Sequence, residues 1–106
     1  MTKAKGSCLC GGVRFEIEGP HMLFQYCHCS RCRKGTGSAH ASNLFAAPSN
    51  FRWISGEELV KVWELPTAKY FCKAFCSECG SAAPYLAKSG KAFVVPAGLL
   101  DDDPGE

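Results

Sequence analysis

The side chains with the most chemistry to offer are eight cysteines in a chain of 106 residues. Seven of them fall into close groups: Cys8 and Cys10 as C-x-C before Gly11-Gly12, Cys27, Cys29 and Cys32 as C-x-C-x2-C, and Cys76 and Cys79 as C-x2-C before Gly80. In such a turn two sulfurs converge on one ion while backbone amides point at them, and the glycine that follows takes a positive φ where a side chain would clash. One pair is weak evidence; three groups in one small chain are strong. A small domain can fold its first and last pairs together, making Cys8, Cys10, Cys76 and Cys79 a closed four-sulfur site. Pinning segments so far apart in sequence removes unfolded-state entropy, and structural zinc contributes folding free energy of order 10 kcal/mol. Iron takes the same four ligands and stays open as an alternative.

The middle group offers three sulfurs. Catalytic zinc keeps three protein ligands and leaves the fourth position to water or substrate, whereas a structural ion closes its shell. Three thiolates weaken the ion as a Lewis acid, so this site suits a soft thiolate better than the generation of hydroxide, and a small thiol becomes the expected partner. Cys72 stands apart. It can join Cys76 and Cys79, close the shell of the middle group, or remain a buried free thiol; strand alternation puts it on one face with Tyr70 and Ala74, opposite Phe71, Lys73 and Phe75, which favours the last.

Around the middle group, Arg31, Arg33 and Lys34 form the only local basic cluster. They either balance the thiolates or recognise the carboxylates of a bound partner, arginine as a planar fork and lysine as a point charge. His40 is a candidate proton carrier lining the pocket; His28, between two ligands, orients the loop or packs, and His21 sits in an exposed turn. Gly35, Gly37 and Ser38 read as a turn beyond the third cysteine.

The start of the chain has lysines but no apolar stretch of signal-peptide length, and no window approaches a membrane span. Cytoplasm is the expectation, and in a reducing compartment paired thiols fit metal better than disulfides. The formal net charge is +2. Seven thiolates around two divalent ions lower it by three, to −1. With no basic and aromatic stripe beside the cysteines, nucleic acid is not an expected partner.

The elements that must position these groups are short. Residues 1–7 read as a loose lead-in, with a single domain over 8–106. Strict alternation over 13–18 places Val13, Phe15 and Ile17 on one face and Arg14, Glu16 and Glu18 on the other, a half-buried strand that Gly19-Pro20 ends. Residues 21–27, about 39–46, 51–55, 58–65, 69–76, 82–86 and 92–95 read as further strands, and 30–34 as a short helical turn. Prolines 48, 66, 84 and 96 oppose long helices. The expectation is a mainly β domain of seven or eight strands, with Trp53, Trp63, Phe51 and Phe71 packing its core.

The blocks GSCLCGGVRFEI, CHCSRCRKGTGS, FCSECGS and PAGLLDD together resemble the glutathione-dependent formaldehyde-activating enzymes, over nearly the whole chain. The resemblance implies an Mss4-like zinc-containing β fold of short antiparallel strands, a structural zinc on Cys8, Cys10, Cys76 and Cys79, and an active-site zinc on Cys27, Cys29 and Cys32. It implies a carbon–sulfur lyase-like reaction on a glutathione adduct such as S-hydroxymethylglutathione, with glutathione as co-substrate. The rival from another class is a noncatalytic zinc-binding module for a protein partner. The GLLDD ending is expected to close the domain edge, with Asp101 or Asp102 satisfying a turn or a basic side chain rather than a metal.

Overall fold

The protein is described from a computed structural model covering residues 3–19, 23–69 and 71–101. Expectations for His21, Tyr70, Asp102 and the rest of the tail fall outside these residues. The strands are β1 (Lys3–Ser7), β2 (Arg14–Glu18), β3 (Leu23–Cys27), β4 (Ala41–Ala46), β5 (Phe51–Ser55), β6 (Val60–Glu64), β7 (Cys72–Cys76), β8 (Tyr85–Leu86) and β9 (Phe93–Pro96). One short helix, α1 (Ser30–Thr36), separates β3 from β4, and single 3-10 turns occur at Pro48–Asn50, Glu57–Leu59 and Ala97–Leu99. All pairings between strands are antiparallel, in sheets ordered β1-β2-β5, β3-β4-β9-β8 and β6-β7. The fold is mainly β with only short helical turns, as the sequence implies.

The principal correction concerns the start. Residues expected to form a loose lead-in instead build β1, where Lys3 lies opposite Glu18 and Ser7 opposite Arg14. The alternation was there, but written in small residues: Ala4 is buried and Gly6 lies under the Phe15 ring, which a methyl at that position would overlap. Small side chains give little hydrophobic period, so tertiary packing decides the strand. The far end of the described chain clips over it. The Asp101 N–H donates to the Lys5 carbonyl at 2.7 Å, and the Ser7 hydroxyl donates to Asp101 Oδ2 at 2.9 Å. The segment closes the domain edge as expected, with a serine on the carboxylate.

Phe15, Ile17 and Phe51 from the first sheet meet Leu44, Ala46 and Val95 from the second. The Phe51 ring stacks on Phe93 with centroids 4.0 Å apart and takes the edge of Trp53 at 4.9 Å. Alternation along β2 explains the inward face. Its outward Glu16 is also covered, because Arg52 on β5 reaches across to pair with it at 2.7 Å. Trp63 departs from expectation: it is 51% exposed on β6, which belongs to a two-stranded ribbon rather than to either of the sheets that enclose the core.

The turn between β5 and β6 seats the first cysteine loop. Gly56 has φ +80°, and a methyl there would overlap the Gly12 carbonyl, while the Ser55 hydroxyl donates to the same carbonyl at 3.3 Å. Gly90 has φ +75° with nothing nearby. Gly56→Ala is therefore expected to cost at least ~2 kcal/mol, and Gly90→Ala ~1 kcal/mol, the difference isolating the close approach from the backbone strain. Denaturant midpoints of the metal-loaded proteins measure both; equal losses would mean that the contact with Gly12 carries no weight.

Candidate metal centres and the adjoining cavity

The first cysteine loop leaves β1 and turns sharply, its Gly11 N–H donating to the Cys8 carbonyl at 3.0 Å. The loop after β7 turns in the same way, with the Gly80 N–H on the Cys76 carbonyl at 2.8 Å and Gly80 at φ +78°. The two turns face each other, and the sulfurs of Cys8, Cys10, Cys76 and Cys79 all lie within 4.8 Å of one another. Cys8 and Cys10 are 3.5 Å apart and Cys10 and Cys76 3.9 Å. A tetrahedral ion with sulfur ligands at about 2.3 Å needs sulfurs about 3.8 Å apart, so the donor set fits a metal without rearrangement.

Amides complete the arrangement. The N–H groups of Val13, Gly12 and Glu78 donate to the sulfurs of Cys8, Cys10 and Cys76 at 3.3, 3.4 and 3.4 Å. Ser81 ties the two loops together: its hydroxyl accepts from the Leu9 N–H at 3.1 Å and lies 3.3 Å from Cys79 Sγ. That hydroxyl, with the Ser81 and Cys10 amides, brings the Cys79 thiol down to about 5. Cys10 moves the other way. The Gly12 N–H favours its thiolate, but the neighbouring sulfurs, Cys8 foremost, together with burial push it up to about 12. Sulfurs this close cannot all carry charge unless a cation joins them.

The second group is built from a strand end and a helix start. Cys27 is the last residue of β3, Cys29 is the N-cap of α1, and Cys32 lies in its first turn. Their sulfurs also lie within 4.8 Å of one another, Cys27 and Cys29 at 3.5 Å. Gly37 ends the helix in the left-handed region, its N–H on the Arg33 carbonyl at 2.8 Å. The Cys32 N–H, then the Cys27 and Cys32 thiols, lower Cys29 to about 7; burial, then Cys27 and Cys29, raise Cys32 to about 12. No fourth ligand joins this group among the described residues. Two cysteine clusters able to hold a metal ion are thus present, one of four sulfurs and one of three.

Beside the three-sulfur cluster lies a cavity of about 510 Å³ between α1, β7 and the β3-β4-β9-β8 sheet. Cys27 and Cys32 line one side and Cys72 another. The face expected for Cys72 is the buried one, shared with Ala74 and Cys76, and burial first, then Glu64, raises its thiol above the ordinary range. It belongs to neither sulfur group.

Other expected site residues are placed elsewhere. His40 is not on the cavity wall. Its ring packs on Tyr26 at 4.7 Å and on His28 at 5.3 Å, and Tyr26 alternates with Gln25 and Cys27, which do face the cavity. Arg31, Arg33 and Lys34 are exposed on α1 and none lines the cavity; Arg33 instead donates through Nε to the His28 carbonyl at 3.2 Å, bracing the cysteine loop. The cations on the wall are Lys73 and Lys88, the second paired with Glu64 at 3.2 Å. Gln25, Asn43 and Tyr85 supply further polar groups. Alternation back from Cys27 points to Gln25, but no sequence signal marked Asn43, Lys88 or Tyr85.

Comparison with known proteins places this arrangement. The profile of the family described as "Glutathione-dependent formaldehyde-activating enzyme" matches residues 3–106. A Halomonas elongata protein named "Putative glutathione-dependent formaldehyde-activating enzyme" is 32% identical over 104 residues, covering 93% of this chain; the chain spans 66% of that relative's length. A Rhodobacter sphaeroides protein of known crystal structure superposes with a TM-score of 0.73 at 27% identity, over 93% of this chain and 89% of the other.

The two clusters should respond differently to mutation. Cys76→Ser opens the four-sulfur site inside an apolar cluster with Val13 and Trp53, and removing support of order 10 kcal/mol should abolish cooperative unfolding. Cys29→Ser, at the exposed N-cap of α1, should keep the fold and lose one bound ion. Elemental analysis with circular dichroism reads both; a Cys76→Ser protein that folds as stably as the wild type would contradict the assignment.

Proposed function

Because the chain belongs to the glutathione-dependent formaldehyde-activating enzyme family, we propose that it is a zinc-dependent carbon–sulfur lyase acting on an adduct of glutathione or another small thiol, of which S-hydroxymethylglutathione is the family's example. The observation that carries this is the three-sulfur cluster bordering a cavity of ligand size. In this reading Cys8, Cys10, Cys76 and Cys79 hold a structural zinc, and Cys27, Cys29 and Cys32 hold the second. Zinc held by these three sulfurs would supply the Lewis acidity that makes a thiol give up its proton more readily.

The chain's own groups do the rest. The cavity walls would hold the thiol and the carbonyl carbon side by side, so that formation of the carbon–sulfur bond needs little further ordering. As that bond forms, the carbonyl oxygen gains charge and takes a proton. Tyr85 is suited to face it: burial, then Cys72 and Cys32, push its phenol up to about 12, so it keeps its hydrogen for donation. Lys73 is the cation on the wall available to a substrate carboxylate, Lys88 being engaged by Glu64. A reducing cytoplasm belongs to the same proposal, since it would keep the eight cysteines, all free in this structure, from oxidising.

The rival reading, a noncatalytic zinc module, draws on Cys72, which faces the same cavity and would have to close the second shell. Metal-edge absorption distinguishes them: one ion with four sulfurs and one with three sulfurs and a light atom support the enzyme, and two four-sulfur sites overturn it. Calorimetric titration of the zinc-loaded protein with reduced glutathione should show binding that Cys29→Ser loses while keeping its fold. Wild-type protein that binds no thiol in this titration would remove glutathione as co-substrate.

A further inference from the structure

Resting on that reading, we propose that the substrate carries an apolar body of several carbons next to the reacting sulfur–carbon bond, and that this body fills the cavity beside Cys27 and Cys32. The volume, about 510 Å³, is in the range of pockets that hold drug-sized ligands; formaldehyde fills almost none of it, and glutathione, with two carboxylates and an ammonium group, matches a mostly apolar wall poorly. The wall is mostly carbon. Phe45, Phe71 and Val94 supply large apolar surfaces, while Ala82, Ala83 and Ala87 are small where larger side chains would have closed the space.

An apolar wall gains dispersion contacts from an apolar ligand, and a molecule with several charges lying against it would lose hydration without enough partners in return. Lys88 is already paired with Glu64, which leaves Lys73 to meet any one anionic group. Tyr85 lines the cavity, and no side-chain hydrogen bond engages it among the described residues, so its phenol is a donor for one oxygen beside the apolar body.

The chemistry balances without any redox partner. The thiol sulfur bonds to the carbonyl carbon, the carbonyl π pair moves to oxygen, and that oxygen takes up the proton the thiol released; the reverse breaks the same bond. The apolar body arrives either on the carbonyl compound or on the thiol, and the two sources are separable.

The test uses the zinc-loaded full chain and measures, by exchange NMR, the acceleration of hemithioacetal formation over the uncatalysed rate. The pairs are glutathione with formaldehyde, glutathione with phenylacetaldehyde, and 2-phenylethanethiol with formaldehyde. One of the phenyl-bearing pairs is expected to be accelerated at least about tenfold more than glutathione with formaldehyde, and which one it is identifies the source of the apolar body. Ala82→Leu and Ala87→Leu, which narrow the cavity from different segments, should each lower the acceleration of the favoured phenyl-bearing pair at least about fivefold more than that of glutathione with formaldehyde. If glutathione with formaldehyde is accelerated most, the carbon–sulfur reading stands and the apolar substrate falls. Equal slowing of every pair in the narrowed variants also overturns the apolar substrate. No acceleration of any pair overturns the function proposed above along with it. The wild-type comparison decides the matter even if neither leucine variant folds.

Discussion

The constraint on which this structure depends is mutual repulsion among sulfurs. Cys8, Cys10, Cys76 and Cys79 converge within 4.8 Å, and without a cation one of them ionises easily only while a neighbour holds its proton firmly, as the opposite displacements of Cys79 and Cys10 show. A bound ion removes the conflict and joins the loop after β1 to the loop after β7. Since Val13, Trp53, Leu59 and Val60 pack around the same sulfurs, metal and apolar packing stabilise one unit. The principal core is small, confined to the space between two sheets, which makes sense of a metal-binding cluster where a larger protein would place more side chains.

The second cluster is assembled by simple local means. A strand that ends at Cys27 and a helix that begins after Cys29 bring three sulfurs together without any distant segment. Its placement then depends on how α1 is seated: Gly35 lies beside Phe71 and the Lys73 stem, close enough that the helix rests against the chain leading into β7. The four-sulfur site is enclosed by packing, and the three-sulfur site borders open volume. The same ligand type thus lies among packed side chains in one place and beside a cavity in the other.

Much of this was legible in the residues, and the failures have physical reasons. Cysteine spacing identified both clusters because chelation imposes short, fixed separations on a chain. The alternation of Phe15 and Ile17 identified β2 because large side chains make the period visible, whereas Ala4 and Gly6 on β1 obey the same period with almost no hydrophobic signal. His40 and the basic residues of α1 lie off the cavity wall for a different reason: nearness in sequence to Cys32 says nothing about which side of a sheet or helix faces the cavity. Lys88 and Tyr85 reach it from a distant part of the chain, a consequence of the β8–β9 pairing that no local pattern records.

Strand β7 carries one further consequence. Its buried face presents Cys76 to the four-sulfur site and Cys72 and Ala74 to the cavity, so a single five-residue stretch serves both. Because side chains alternate, inserting or deleting one residue between Cys72 and Cys76 would turn one set of groups outward while the other stayed in place. This stretch is therefore closed to length variation. The connection from β6 to Phe71 and the turn between β8 and β9 lie outside that register, so a change in their length would reshape the cavity rim and leave the two centres joined through β7.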